Sequence, residues 1–238
     1  MRTRRLSSAI AIASVFLASL ACGEGQPTGG FLTTGPTTGA RVRLIHALTS
    51  SSALDFAVDG QVAATNVPFG TASQYVLVSL APHQLQARAT GTGTVLVDFT
   101  RDLSTGGSFS LIPAAGLAQF GALFITDDPT PVTGQARVRG VHVAAAVGPV
   151  SVYITAPGAD ITAATPLVPL LPFGLASDYV QIAPGTYRVR VTRAGSPSEV
   201  LVDVGNVTLS GGAVRTVLVT DAPGGGLPTG LSVIVDAG

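Results

Sequence analysis

The chain repeats itself, and no other feature narrows its possible folds as much. Ala40-Arg41-Val42-Arg43-Leu44-Ile45-His46 returns as Ala136-Arg137-Val138-Arg139-Gly140-Val141-His142. Pro68-Phe69-Gly70, with Ala72-Ser73 and Tyr75-Val76 behind it, returns as Pro172-Phe173-Gly174, with Ala176-Ser177 and Tyr179-Val180. Val95-Leu96-Val97-Asp98 returns as Val200-Leu201-Val202-Asp203. Matching blocks in the same order, with differences confined to loops, mark a tandem duplication of one structural unit. We place the first copy at 40–128, a hinge with two prolines and a glycine at 129–135, and the second copy at 136–238.

Within each copy the period is two. Leu54, Phe56 and Val58 alternate with Asp55, Ala57 and Asp59; Val150, Val152 and Ile154 alternate with Ser151, Tyr153 and Thr155. Tyr187, Val189 and Val191 alternate with Arg188, Arg190 and Thr192. Such alternation belongs to strands with one buried face. No sustained helical period appears after the first 21 residues. In the first copy we expect strands near 41–47, 53–59, 61–65, 74–80, 84–90 and 94–100, and over 107–126, the last stretch dividing at Pro113 to Gly116. The expected fold is all-β: two tandem immunoglobulin-like antiparallel β-sandwiches.

The ends of the charge distribution carry information that the total hides. Formal net charge is zero, but Arg2, Arg4 and Arg5 precede an apolar run from Leu6 to Leu20, the pattern of an export signal over residues 1–21. Beyond it stand ten arginines against 13 acids, with no basic stripe, so nucleic acid is not an expected partner. Ser19-Leu20-Ala21-Cys22 resembles a bacterial lipobox, which makes Cys22 the lipidation site and the lipid the link to a membrane. The same small residues also suit ordinary cleavage, which would leave a plainly secreted or periplasmic protein. Residues 22–39 are rich in Gly, Thr and Pro and read as a flexible tether, with a reach on the order of 20 Å. Cys22 is the only cysteine, so no internal disulfide holds the body together. Hydrophobic residues make up 46% of the chain and charged ones only 11%, enough apolar surface for a core to do so.

The set ARVRLIHA, LDFAVDG, NVPFG, a tyrosine-containing strand, an Ala-Pro turn and FITDD resembles DUF4397, a domain of unknown function found in exported and surface-attached bacterial proteins, often in tandem. The likeness is fuller over 40–128 than over 136–238, where 156–170 carries an insertion and Val58-Asp59-Gly60 has no counterpart. The resemblance implies an all-β module outside the cytoplasm. It implies no activity and no catalytic residues.

Candidate chemistry is sparse. His46 and His142 occupy equivalent places on apolar strand faces, where a hydrogen-bonded structural histidine is commoner than a metal ligand; zinc wants three or four ligands. Asp127 and Asp128 sit together at the hinge, and Asp55 and Asp59 border one strand end. Calcium takes six to eight oxygens, so a site between the copies at Asp127 and Asp128 is set against the commoner reading of such acids as caps or solvated groups. No nucleophile motif is present, and the only glutamates are Glu24 and Glu199. No cofactor is expected. Phe69 and Phe173, with Tyr75 and Tyr179, are the candidate ligand-binding residues; the alternative is that the phenylalanines plug a sandwich end. Arg41, Arg43, Arg137 and Arg139 share the strand face opposite Val42 and Val138 and read as a solvated face or as contacts between copies. The expectation is a non-catalytic lipoprotein of the cell envelope, at the outer membrane or cell surface, that presents two sandwiches for binding or adhesion to a protein or glycan. A purely structural envelope spacer is the alternative, and an enzyme the third reading, built on Asp55, Asp59 or His46.

Overall fold

The first copy folds as eight strands in two sheets. In the computed structural model, which describes residues 38–117 and 121–238, they are β1 (Ala40–Leu44), β2 (Ala53–Val58), β3 (Gln61–Pro68), β4 (Val76–Val78), β5 (Pro82–Ala89), β6 (Val95–Asp102), β7 (Gly107–Pro113) and β8 (Ala122–Asp127). One sheet has the order β4-β1-β7-β8 and the other β3-β2-β5-β6. The expected strands are all present, and the last stretch does divide into two. The export signal, Cys22 and most of the tether lie outside the described residues. Among the described residues no helix is long and apolar enough to cross a membrane.

Local chemistry accounts for the pairing. Asp59 and Gly60 both take positive φ, 50° and 78°, and join β2 to β3 with Val58 opposite Gln61. That is the Asp-Gly pattern of a two-residue hairpin turn. Leu54, Phe56, Leu85, Ala87, Val97 and Phe99 from one sheet meet Val42, Leu44, Val78 and Leu111 from the other in the first core. Neighbouring strands are antiparallel with one exception: β1 and β7 run parallel, Ala40 opposite Gly107 and Leu44 opposite Leu111. A parallel pair needs a long crossover, and here the whole β3-β2-β5-β6 sheet lies on that crossover.

The second copy repeats the plan with β9 (Ala136–His142), β10 (Val150–Thr155), β11 (Val168–Leu171), β12 (Leu175–Ala176), β13 (Val180–Ile182), β14 (Gly185–Arg193), β15 (Ser196–Leu209), β16 (Val214–Thr220) and β17 (Gly230–Ala237). Its sheets have the orders β12-β9-β16-β17, with β13 also on β9, and β11-β10-β14-β15. Again one pair, β9–β16, is parallel. The insertion seen in the sequence carries a short 3₁₀ turn over Ile161–Ala163, capped by Asp160, whose carboxylate accepts the N–H of Thr162.

One substitution between the copies has a packing reason. Leu44 becomes Gly140, and a Cβ on Gly140 would lie 2.9 Å from Leu171 Cδ2 and 3.4 Å from Val152 Cγ2. The second core fills from β11 the space that the first fills from β1.

The described residues form one compact unit. The reason is a third apolar cluster that belongs to neither sandwich. Ile45, Ala47, Ile112 and Ala114 of the first copy pack with Val141, Val143, Leu218 and Ile234 of the second. The β1 and β9 sheets therefore meet through their outer faces.

Candidate functional site

The seam between the copies is where the charged residues gather. β1 sends Val42 and Leu44 into its own core, and alternation sends Arg43 to the outer face. There Arg43 Nη2 donates to Asp236 Oδ1 of the second copy at 2.5 Å, Nη1 to the Val235 carbonyl at 3.0 Å and Nε to Ser110 Oγ at 2.8 Å. The second copy answers in kind. Arg139 Nη2 donates to Asp127 of the first copy, Nη1 to the Thr126 carbonyl at 3.0 Å and Nε to Thr216 Oγ1 at 2.9 Å. Tyr75 O–H donates to Asp127 at 2.6 Å, and Tyr179 O–H to Asp236 at 2.9 Å. Each ring lies under a guanidinium, Arg43 at 4.5 Å from the Tyr75 centroid and Arg139 at 4.6 Å from that of Tyr179. Every contact has its counterpart, as in an isologous interface built within one chain.

Arg43 and Arg139 are 1% and 2% exposed. Of the two readings given for the four arginines, contacts between copies hold for Arg43 and Arg139, and the solvated face is corrected for these two: only Arg41 of the four is exposed. Burial pulls the pKa of Arg43 down, but Asp236 and Asp127 outweigh it and the net shift is upward. Burial raises the pKa of both tyrosines against the pull of the arginines, so both hydroxyls stay protonated donors.

The aspartates named for calcium do not converge. Asp127 is buried, with its oxygens taken by Arg139, Tyr75 and Ser110. Asp128 is exposed and bonded to Arg137 at 2.6 Å, and its pKa falls to about 2, chiefly through that hydrogen bond. The calcium reading of this pair is corrected, because Arg139 stands where a cation would. Among the described residues no group of three or more His, Cys, Asp or Glu is placed to hold a metal ion.

Phe69 and Tyr75 do not share a platform either. Phe69 meets the His46 ring edge-on at 5.5 Å between centroids, and Phe173 meets His142 at 5.9 Å. His46 donates from Nε2 to the Ser51 carbonyl at 3.1 Å and accepts the Leu48 N–H on Nδ1 at 3.2 Å. These partners assign the neutral Nε2–H tautomer. Burial lowers its pKa to about 4. An unfolded ring takes its proton near pH 6.5 and the native one only near 4, so acid favours the unfolded chain in between. Stability is expected to fall by roughly 3 kcal/mol over that window. Urea unfolding at stepped pH checks it, with His46→Gln losing that part of the slope.

A constellation that the sequence reading missed is Ser79, His83 and Asp59. Ser79 Oγ is 3.2 Å from His83 Nε2, and His83 Nδ1 is 2.6 Å from Asp59. The order is that of a nucleophilic triad. Yet Nε2 is closer to the Ser79 carbonyl, at 2.9 Å, and must carry a proton to bond it. A protonated Nε2 does not accept the proton of Ser79. Burial lowers the His83 pKa, but the hydrogen bonds to Asp59 and to the Ser79 carbonyl, with the charge of Asp59, together outweigh it, and the net shift is upward. From β5 the ring staples the β2–β3 turn to Ser79 in the β4–β5 loop, and the second copy has Gly185 in its place.

Beside the seam lies a cleft of about 420 Å³. One wall is residues 70–75 of the first copy; the other is residues 233–237 of β17, and Arg43 also lines the cleft. Gly70, at φ +75°, is needed at its mouth, because a Cβ there would lie 2.7 Å from Ser232 Oγ. Tyr75 is the one candidate ligand-binding residue that lines it.

Fold and seam define a class: an all-β protein of two like sandwiches joined back to back. A DUF4397 domain, a domain of unknown function, is found at residues 40–153. The match covers the first copy and runs through β9 to Tyr153 on β10. No curated relative matches the chain. Among solved structures, a family 26 carbohydrate-binding module of Eubacterium rectale, in complex with maltoheptaose, is similar at 11% identity and a TM-score of 0.27 over 81% of this chain and 95% of that one. A candidate cell adhesion protein of Bacteroides fragilis is similar at 9% identity and a TM-score of 0.21, over 81% and 96%.

Proposed function

We propose that the chain is an exported, non-catalytic binding or adhesion module of the cell envelope, held to a membrane by lipid at Cys22 and carrying its two sandwiches on the tether. The observation that carries this reading is the cleft beside the seam. It is walled by both copies, rests on a rigid buried network, and has a volume within the range of ligand sites. The ionisable groups around it neutralise one another rather than converge on a reacting atom, which favours binding over catalysis. Glycan and envelope-extract arrays probed with the purified exported chain test the reading. A reproducible hit weakened by Gln74→Trp, which fills the mouth of the cleft, is the expected result. A spacer role draws on the same rigid seam. Silence on both arrays, with an unchanged envelope phenotype for Gln74→Trp, would favour the spacer.

A further inference from the structure

We propose that the cleft takes an extended, uncharged polypeptide segment, added as a strand along the outer edge of β17. This inference rests on the binding reading and names its partner class.

β17 is the last strand of its sheet and pairs only with β16. In an antiparallel pair, residues alternate between exchanging hydrogen bonds with the partner strand and pointing both main-chain groups away. The Val235 carbonyl points away, since Arg43 reaches it from the other copy. Val233, two residues earlier, presents its N–H and C=O on the same side. The facing wall has the same character. Gly70 and Ser73 give their N–H groups to the His46 and Leu44 carbonyls of the β1 side. Their segment continues into β4, the terminal strand of the first-copy sheet. The cleft thus lies between the open edges of two sheets.

Charge argues for a neutral backbone as the occupant. Arg43 spends its donors on Asp236, Val235 and Ser110, and Asp236 accepts Arg43, Tyr179 and Thr216. An ionic ligand would meet no spare countercharge, whereas a peptide strand needs only main-chain donors and acceptors. Edge strands are commonly guarded by charged side chains, inward-pointing ones among them, by proline or by a bulge. The run Leu231 to Ala237 has no proline, and its guards, the inward-turned Asp236 at 8% exposure and the bulge between Val235 and Ala237, sit at its C-terminal end, which leaves Leu231 to Val233 unguarded. Val235 stands 58% exposed at the rim, ready to contact an added strand. Main-chain pairing with alternate side chains in contact is the β-augmentation mode of peptide recognition.

The test is selection of random displayed peptides on the full exported chain. The enriched sequences are then measured against Val233→Pro, which removes one edge N–H at a position where proline is tolerated. Affinity is expected to fall about tenfold. Methylating alternate backbone nitrogens of the selected peptide should abolish binding in one set and spare the other, a readout independent of how the variant folds. Equal binding to Val233→Pro, or equal tolerance of both methylated sets, overturns the proposal. If no peptide is enriched while maltoheptaose shifts the Val233 and Val235 amide resonances, the peptide assignment falls and the binding reading stands. If neither binds, both fall.

Discussion

Replacing Arg43 with methionine is expected to lower the unfolding free energy by about 3–5 kcal/mol, because breaking a buried ion pair leaves its partner uncompensated. The partner here is Asp236, whose side chain is fully buried. In a unit of this size that corresponds to a fall in Tm of roughly 6–20 °C. Calorimetry or denaturant unfolding reads it directly. Adding Asp236→Asn should recover part of the loss, since the buried charge goes while Tyr179 and Thr216 keep an acceptor. Arg137→Met supplies the contrast. Its partner Asp128 is 55% exposed, and breaking such a pair costs no more than about 1 kcal/mol. If Arg43→Met costs no more than Arg137→Met, the seam is not held by its buried charges.

Phe56→Ala is expected to cost about 3–5 kcal/mol, the usual penalty for truncating a fully buried phenylalanine. The sharper expectation concerns where the loss is felt. Phe56 lies in the first core, far in sequence from anything in the second. The seam cluster and the four-way Arg–Asp network tie the cores together, so the copies should open as one cooperative unit. Hydrogen exchange followed by mass spectrometry would show the slowest amides of β5 and β14 losing protection together. If β14 keeps its protection while β5 loses it, the copies are independent domains and the seam is only a contact.

Much of the fold was legible because its signals are local. Period two in 54–58 and 150–154 sets strands and faces, Asp59-Gly60 sets a hairpin, and the repeat makes one copy predict the other. The insertion at 156–170 showed itself as lost likeness. The seam was less legible. A signal for it existed: Arg43, Tyr75, Ser110 and Asp127 each have a polar counterpart in Arg139, Tyr179, Thr216 and Asp236, and the same outer face carries Ile45 and Val141. A wetted face would have little use for paired isoleucine and valine.

The sequence by itself determined the duplication and the alternation that builds each sandwich. These are properties of short segments, fixed by hydropathy and turn chemistry within a few residues. Only the tertiary structure decided what covers the outer face of β1. Alternation says that Arg43 points away from its own core; it does not say whether water or another sheet waits there. Its partner Asp236 is 193 residues away, and no local preference reaches that far. Burial then reverses the meaning of the residue, from a solvated charge to half of a clamp, and leaves beside it the cleft where binding is proposed.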